Sequence, residues 1–182
     1  MTIYLVRHGE AAASWQHNPD PGLSERGRAQ AQSLLPFFAH RKIEHLISSP
    51  LLRTRETALP LGQSTRLAVQ LNDAFREIPT PVNISLENRL AWLQGCANSP
   101  WSDAGTVLLD WRHSILKSLR DAPDNTVIFT HFMVMNAVVG ALRGAPNLVC
   151  YQPDYCSVVS LERQATGLHL ISLGQEAQSR VL

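Results

Sequence analysis

Apolar residues follow two rhythms along this chain, short unbroken runs and recurrences at helical spacing. Ile3 to Val6 is an unbroken run rich in β-branched residues and predicts a buried strand. After a loop from Ala11 to Gly22, Ser24 is placed to cap a helix whose face is Ala31, Leu34, Leu35 and Phe38. Pro36 inside that pattern predicts a kink or an early end. Glu44 to Ser48 reads as a second strand. A second helix is expected to open with Ser49 as cap and Pro50 at its first position, and to stop near Pro60 and Gly62. Arg66 to Leu71 suggests a third strand, and Leu86, Leu90 and Leu93 suggest a helix. Ala104 to Asp121 predicts another helix, with Val107, Leu108, Trp111, Ile115 and Leu119 on one face. Asn125 to Thr130 is a strand pattern, and a helix is expected from Met133 to Leu142. Two strand-like runs close the chain, separated by a turn containing Gly167.

Strands alternating with helices imply an α/β fold: a three-layer α/β/α sandwich around a mainly parallel sheet. The whole chain, 1–182, reads as one domain. Such sheets bind ligands at the carboxyl ends of their strands. Arg7 and His8 follow the first strand, Ser49, Pro50 and the helix bearing Arg53 follow the second, and His131 follows the strand ending at Thr130. If those strands are parallel neighbours, these residues share one rim.

Composition narrows the function classes. Of 182 residues, 45% are hydrophobic and 17% charged, and the net charge is +1, so nothing draws the chain globally toward nucleic acid or an anionic membrane. Any anion binding must be local. Three cysteines without a disulfide-like framework suggest a reducing compartment. No signal peptide and no bilayer-spanning run of about 20 apolar residues is read, so a cytoplasmic location is expected.

The motifs "LVRHGE" (Leu5 to Glu10), "LSERGRAQA" (Leu23 to Ala31), "SSPLLRTRETA" (Ser48 to Ala58), "FRE" (Phe75 to Glu77) and "TVIFTH" (Thr126 to His131) occur in order. Together they resemble the histidine phosphatase superfamily, which includes cofactor-dependent phosphoglycerate mutase. The resemblance implies a phosphoglycerate mutase-like fold, with His8 as the phosphoryl-accepting nucleophile, Arg7 and Arg53 as phosphate clamps, His131 as a second histidine on the same phosphate, and Glu77 as proton donor.

Elementary chemistry suits those residue types. Phosphoryl transfer needs an in-line nucleophile and positive charge on the equatorial oxygens. A neutral imidazole can attack if its other nitrogen donates to a fixed acceptor such as a nearby carbonyl. Arginine holds phosphate oxygens two at a time. Gly9 is expected to permit a tight turn, and the helix opening near Ser49 to add a positive dipole end. Glu77 can protonate a leaving alkoxide only if its site raises its pKa above about 4.3. Trp15 is a candidate wall of the pocket mouth. Arg55 is the close competitor of Arg53 and reads as a solvated or salt-bridged residue, and Asp73 and Glu87 are the nearby alternatives to Glu77. His17, His40, His45, His113 and His169 show no metal-ligand spacing with cysteine or carboxylate, and no metal or other cofactor is expected.

Where many members follow the acid with a segment like "fGxWEG", this chain has "REIPTPVNISLE". The mutases carry a long insertion between the acid and the second histidine, whereas about two helices fill that stretch here. A short, open site lets water finish the reaction, which favours a phosphatase of small phosphorylated metabolites. The rivals are a phosphoglycerate mutase-type phosphotransferase, a phosphohistidine or phosphoprotein phosphatase, and a phospho-ligand-binding module without turnover. The expected partner is a small phosphorylated substrate, with no nucleic acid or membrane. A homodimer is compatible with the sequence.

Overall fold

The computed structural model describes residues 2–13, 18–85 and 87–177. Its sheet has six strands: β1 (Thr2–Arg7), β2 (His45–Ser48), β3 (Val69–Leu71), β4 (Thr126–Thr130), β5 (Val158–Gln164) and β6 (Gly167–Ser172), in the order β3-β2-β4-β1-β5-β6. The first four strands in that order are parallel; β5 and β6 add an antiparallel edge. Register sets Arg7 opposite Thr130, and Ser48 opposite Phe129. The ends of β1, β2 and β4 therefore lie on one rim, as the alternating pattern implies.

Alternation along these strands feeds two cores. Ile3, Leu5, Ile47 and Ile128 face one side, where α4 (Arg89–Ala97), α5 (Gly105–Asp121) and α6 (Phe132–Arg143) pack. Tyr4, Val6, Leu46, Val127 and Phe129 face the other, which α2 (Leu35–Phe38) and α3 (Leu52–Thr65) help to cover, with α1 (Glu25–Gln32) packed against α3. Each aliphatic side chain among these contributes about 1.5–3 kcal/mol on full burial, so a register slip of one residue would invert both cores. Every residue of α6 from Phe132 to Gly140 is buried, as expected of a helix enclosed between layers.

Several boundaries depart from the pattern. The Ser24 hydroxyl accepts from Gly27 N–H and caps α1 as predicted, and Pro36 falls in the first turn of the separate α2. By contrast, α3 starts at Leu52, not Pro50, and Ser49 is not its cap. Asp20 Oδ1 accepts from Leu52 N–H at 2.9 Å instead, while Ser49 turns its hydroxyl to His131. The same helix continues through Pro60 to Thr65. Pro60, Ala58 and Leu61 are all buried, and that packing outweighs the roughly 3 kcal/mol of a mid-helix proline. Arg66 ends it in the left-handed conformation, φ 60°, which leaves β3 to begin only at Val69. In α5 the buried positions are Leu108, Ile115 and Leu119, with Trp111 partly covered; Val107 is solvent-facing. Leu90 of α4 is also exposed, Leu93 alone of its helix is buried, and Leu86 lies outside the described residues. No helix among the described residues is long and apolar enough to cross a membrane.

Candidate active site

The chain leaving β1 is fixed before any side chain is considered. Arg7 N–H donates to Ser157 O at 3.1 Å and His8 N–H to Thr130 O at 3.0 Å. Gly9 N–H donates to the Thr57 hydroxyl at 3.0 Å, and that hydroxyl donates to Arg53 O at 2.6 Å. Thr57, one turn beyond Arg53 and absent from the sequence reading, thus ties the turn after β1 to the helix carrying the arginine. Gly9 is not in the left-handed region, so turn conformation is not its reason. A Cβ there would stand 2.6 Å from Gly27 O, and one on Gly27 would stand 2.1 Å from Glu10 O. The two glycines let the β1 turn cross α1 backbone against backbone.

His8, Arg7, Arg53, His131 and Glu77 come together at this rim and all are buried. His8 Nδ1 lies 2.7 Å from Gly9 O. A carbonyl only accepts, so Nδ1 carries the proton and Nε2 keeps its lone pair. Arg53 Nε donates to that Nε2 at 3.2 Å, and Arg53 Nη2 donates to His131 Nδ1 at 3.1 Å. Guanidinium nitrogens cannot accept, so His131 holds its proton on Nε2 and donates to Ser49 Oγ at 2.9 Å. Ser49 is pinned in turn, its carbonyl accepting from the hydroxyls of Ser48 at 2.7 Å and Thr54 at 2.9 Å. Arg7 Nη1 donates to Pro153 O at 2.8 Å, and the Arg7 guanidinium lies 4.2 Å over the Tyr155 ring.

Burial, reinforced by Arg53 and Arg7, holds the His8 imidazole well below its ordinary pKa. Burial and Arg53 do the same to His131. Both rings are therefore neutral near pH 7. Glu77 follows a short 3-10 turn (Asp73–Phe75), which the Thr130 hydroxyl ties to β4 by donating to Phe75 O at 2.9 Å. Its Oε1 accepts from Ile78 N–H at 2.9 Å and from Met133 N–H, in the first turn of α6, at 3.2 Å. Burial raises its pKa against the opposing pull of the Ile78 amide and nearby arginines. The helix terminus facing a site carboxyl is thus that of α6, which the sequence reading did not assign.

Arg89 was also missed. It opens α4, its Nη2 donates to Ile78 O at 3.3 Å, and its charge acts on Glu77, Arg53 and His131. A cation in the first turn of a helix opposes the helix dipole, and that local conflict was the available signal. The competitors fall away: Arg55 is exposed, and Asp73 pairs with Arg76 at 2.7 Å on the surface. Trp15 and His17 lie outside the described residues. The three cysteines are free, and burial pushes the Cys156 thiol up to about 12. Among the described residues no cluster of His, Cys, Asp and Glu could hold a metal ion.

A parallel sheet whose rim gathers two guanidinium groups, two neutral imidazoles and a carboxyl of raised pKa defines a site for tetrahedral oxyanion chemistry. Residues 3–82 match the family described as the histidine phosphatase superfamily (branch 1). A probable phosphoglycerate mutase GpmB of Erwinia tasmaniensis is 29% identical over 164 residues, spanning 80% of this chain and 76% of that protein. The phosphoglycerate mutase of Thermus thermophilus superposes with a TM-score of 0.65 at 26% identity, over 97% of this chain and 100% of that one. A phosphoserine phosphatase of Entamoeba histolytica, crystallised with 3-phosphoglyceric acid, gives a TM-score of 0.71 at 19% identity over 97% and 98%, a likeness of fold. The chain is similar to proteins of the histidine phosphatase superfamily, through residues 3–82 by the family match and over most of its length by relatives and fold.

Proposed function

We propose that this chain is a metal-independent phosphomonoesterase of small metabolites, acting through a phosphohistidine at His8. The observation that carries this reading is the Nδ1 bond to Gly9 O, 2.7 Å, which leaves Nε2 as the free base beside Arg53. In the first half-reaction Nε2 attacks phosphorus, the bond to the leaving oxygen breaks, and Glu77 gives that oxygen its proton. Arg7, Arg53 and His131 hold the equatorial oxygens as charge redistributes. In the second, water attacks phosphohistidine and gives its proton to the Glu77 carboxylate. The N–P bond breaks, and its electron pair returns to Nε2.

Arg89 narrows the substrate class. Two arginines serve the transferred phosphoryl group, and Arg89 lies near the acid that meets the leaving oxygen. A leaving group with its own carboxylate suits this further cation. Phosphoglycerate and phosphoserine, in the names of similar proteins, are of that kind.

The mutase names of the relatives favour a second reading, phosphoryl transfer between positions of one acid. Against it, α4, a 3-10 turn (Trp101–Asp103), α5 and β4 take up most of the stretch between Glu77 and His131, which leaves little chain for a lid that would exclude water. The test is phosphate release from p-nitrophenyl phosphate in EDTA, with trapping of an acid-labile radiolabelled phosphoenzyme. His8→Ala should abolish both, and a fully active His8→Ala protein would sink the proposal. With 3-phosphoglycerate, isomerisation faster than phosphate release would favour the mutase.

A further inference from the structure

We infer that Tyr155 is a positioning residue for the phosphate clamp, acting through Arg7. The segment before β5 wraps that arginine at three points. Pro153 O accepts from Nη1 at 2.8 Å, Ser157 O accepts from the backbone N–H at 3.1 Å, and the Tyr155 ring lies under the guanidinium with 4.2 Å from its centroid to Cζ. The Phe132 ring lies 5.3 Å from the same Cζ.

The hydrogen bonds fix one nitrogen and the backbone but leave rotation about the fork. Arg7 Nε is buried and has no hydrogen-bond partner among the described residues. A flat ring at stacking distance sets the plane in which the remaining N–H groups project, and that plane decides whether two donors reach two phosphate oxygens. The Tyr155 ring also stands 6.1 Å from the His8 ring, tilted by 48°, so one side chain adjoins both the clamp and the attacking base. Its own position is built: its N–H donates to Asp154 Oδ1 at 2.7 Å, and the following Cys156 takes a left-handed φ of 55°, turning the chain into β5. Tyr155 is only partly buried, so its ring is not there to fill a core.

This inference rests on the proposed chemistry, and the experiment separates the two. Wild type, Tyr155→Phe and Tyr155→Leu are compared for kcat, KM and inhibition by vanadate, with thermal melts as a control for folding. Tyr155→Phe keeps the aromatic face and should stay within about twofold of wild type. Tyr155→Leu keeps bulk without that face and should lose about tenfold in kcat and in vanadate affinity, with a smaller change in KM. Tyr155→Met replaces the leucine variant if that protein does not fold. A leucine or methionine variant matching wild type, or a phenylalanine variant as impaired as leucine, overturns the assignment. Failure of the phosphatase reading would appear instead as a wild type without turnover.

Discussion

Arg53 Nε sits 3.2 Å from His8 Nε2, so the clamp already donates to the atom proposed to attack. The same guanidinium reaches His131 through Nη2 at 3.1 Å. One planar fork therefore sets the spacing of both imidazoles, whose centroids are 5.3 Å apart. A lysine supplies charge but not that fork. Arg53→Lys should lower kcat/KM by about 10- to 100-fold, the range for losing charge-assisted hydrogen bonds, with the fold intact by circular dichroism. A lysine variant with near wild-type kcat/KM would show that charge alone suffices.

Glu77 gives a prediction that depends on the leaving group. Its raised pKa keeps the carboxyl protonated above the usual carboxylate range, and activity should fall as pH rises through that value. Glu77→Gln should lose about a hundredfold or more on an alkyl phosphate, whose alkoxide needs a proton. On p-nitrophenyl phosphate, whose phenolate leaves unaided, the loss in kcat/KM, which ends at formation of the phosphoenzyme and so excludes the Glu77-assisted attack of water, should be far smaller and the alkaline limb should disappear. Equal losses on both substrates would remove Glu77 from the role of acid.

The two buried imidazoles couple folding to pH. Both pKa values are depressed in the folded chain, so the stability they contribute is present above about 6.5 and is lost as pH falls toward the folded values. Over that window the unfolded chain binds protons that the folded chain refuses. Glu77 works in the opposite sense: its contribution is present below about 4.3 and is lost as pH rises through its raised folded value. Removing one imidazole should flatten the acid side of the profile. His131→Gln should show a smaller drop in Tm between pH 7.5 and pH 5 than wild type, on a scale of about 2–4 °C per kcal/mol for a chain of this size. Parallel curves for the two proteins would refute the coupling.

The ends of the parallel strands were legible because period-two alternation and strand polarity are local signals, and they place Arg7, His8, Arg53 and His131 on one rim. The partners of those residues were not legible. Ser49 looks like a helix cap in sequence, yet its hydroxyl serves His131 across a separation of 82 residues. Asp20 takes over the capping role from a separate loop. Gly9 is explained only once Gly27 is seen against it. Pro60 reads as a stop because propensity sees the missing N–H and not the core that its helix covers. Each miss is a long-range contact overriding a correct local tendency.

Arg89 supplies the test of substrate class. If its charge meets a carboxylate on the leaving group, Arg89→Ala should lower kcat/KM about 10- to 100-fold for a phosphorylated hydroxy acid such as 3-phosphoglycerate. On p-nitrophenyl phosphate, which carries no second anion, the change should be small. The substitution has a second readout. Arg89 lowers the Glu77 pKa, so its removal should raise that pKa further and carry any alkaline limb of the profile to higher pH. A shift of the limb with equal losses on both substrates would make Arg89 a partner of Glu77 alone. A selective loss on the acid substrate would place the second anion beside α4.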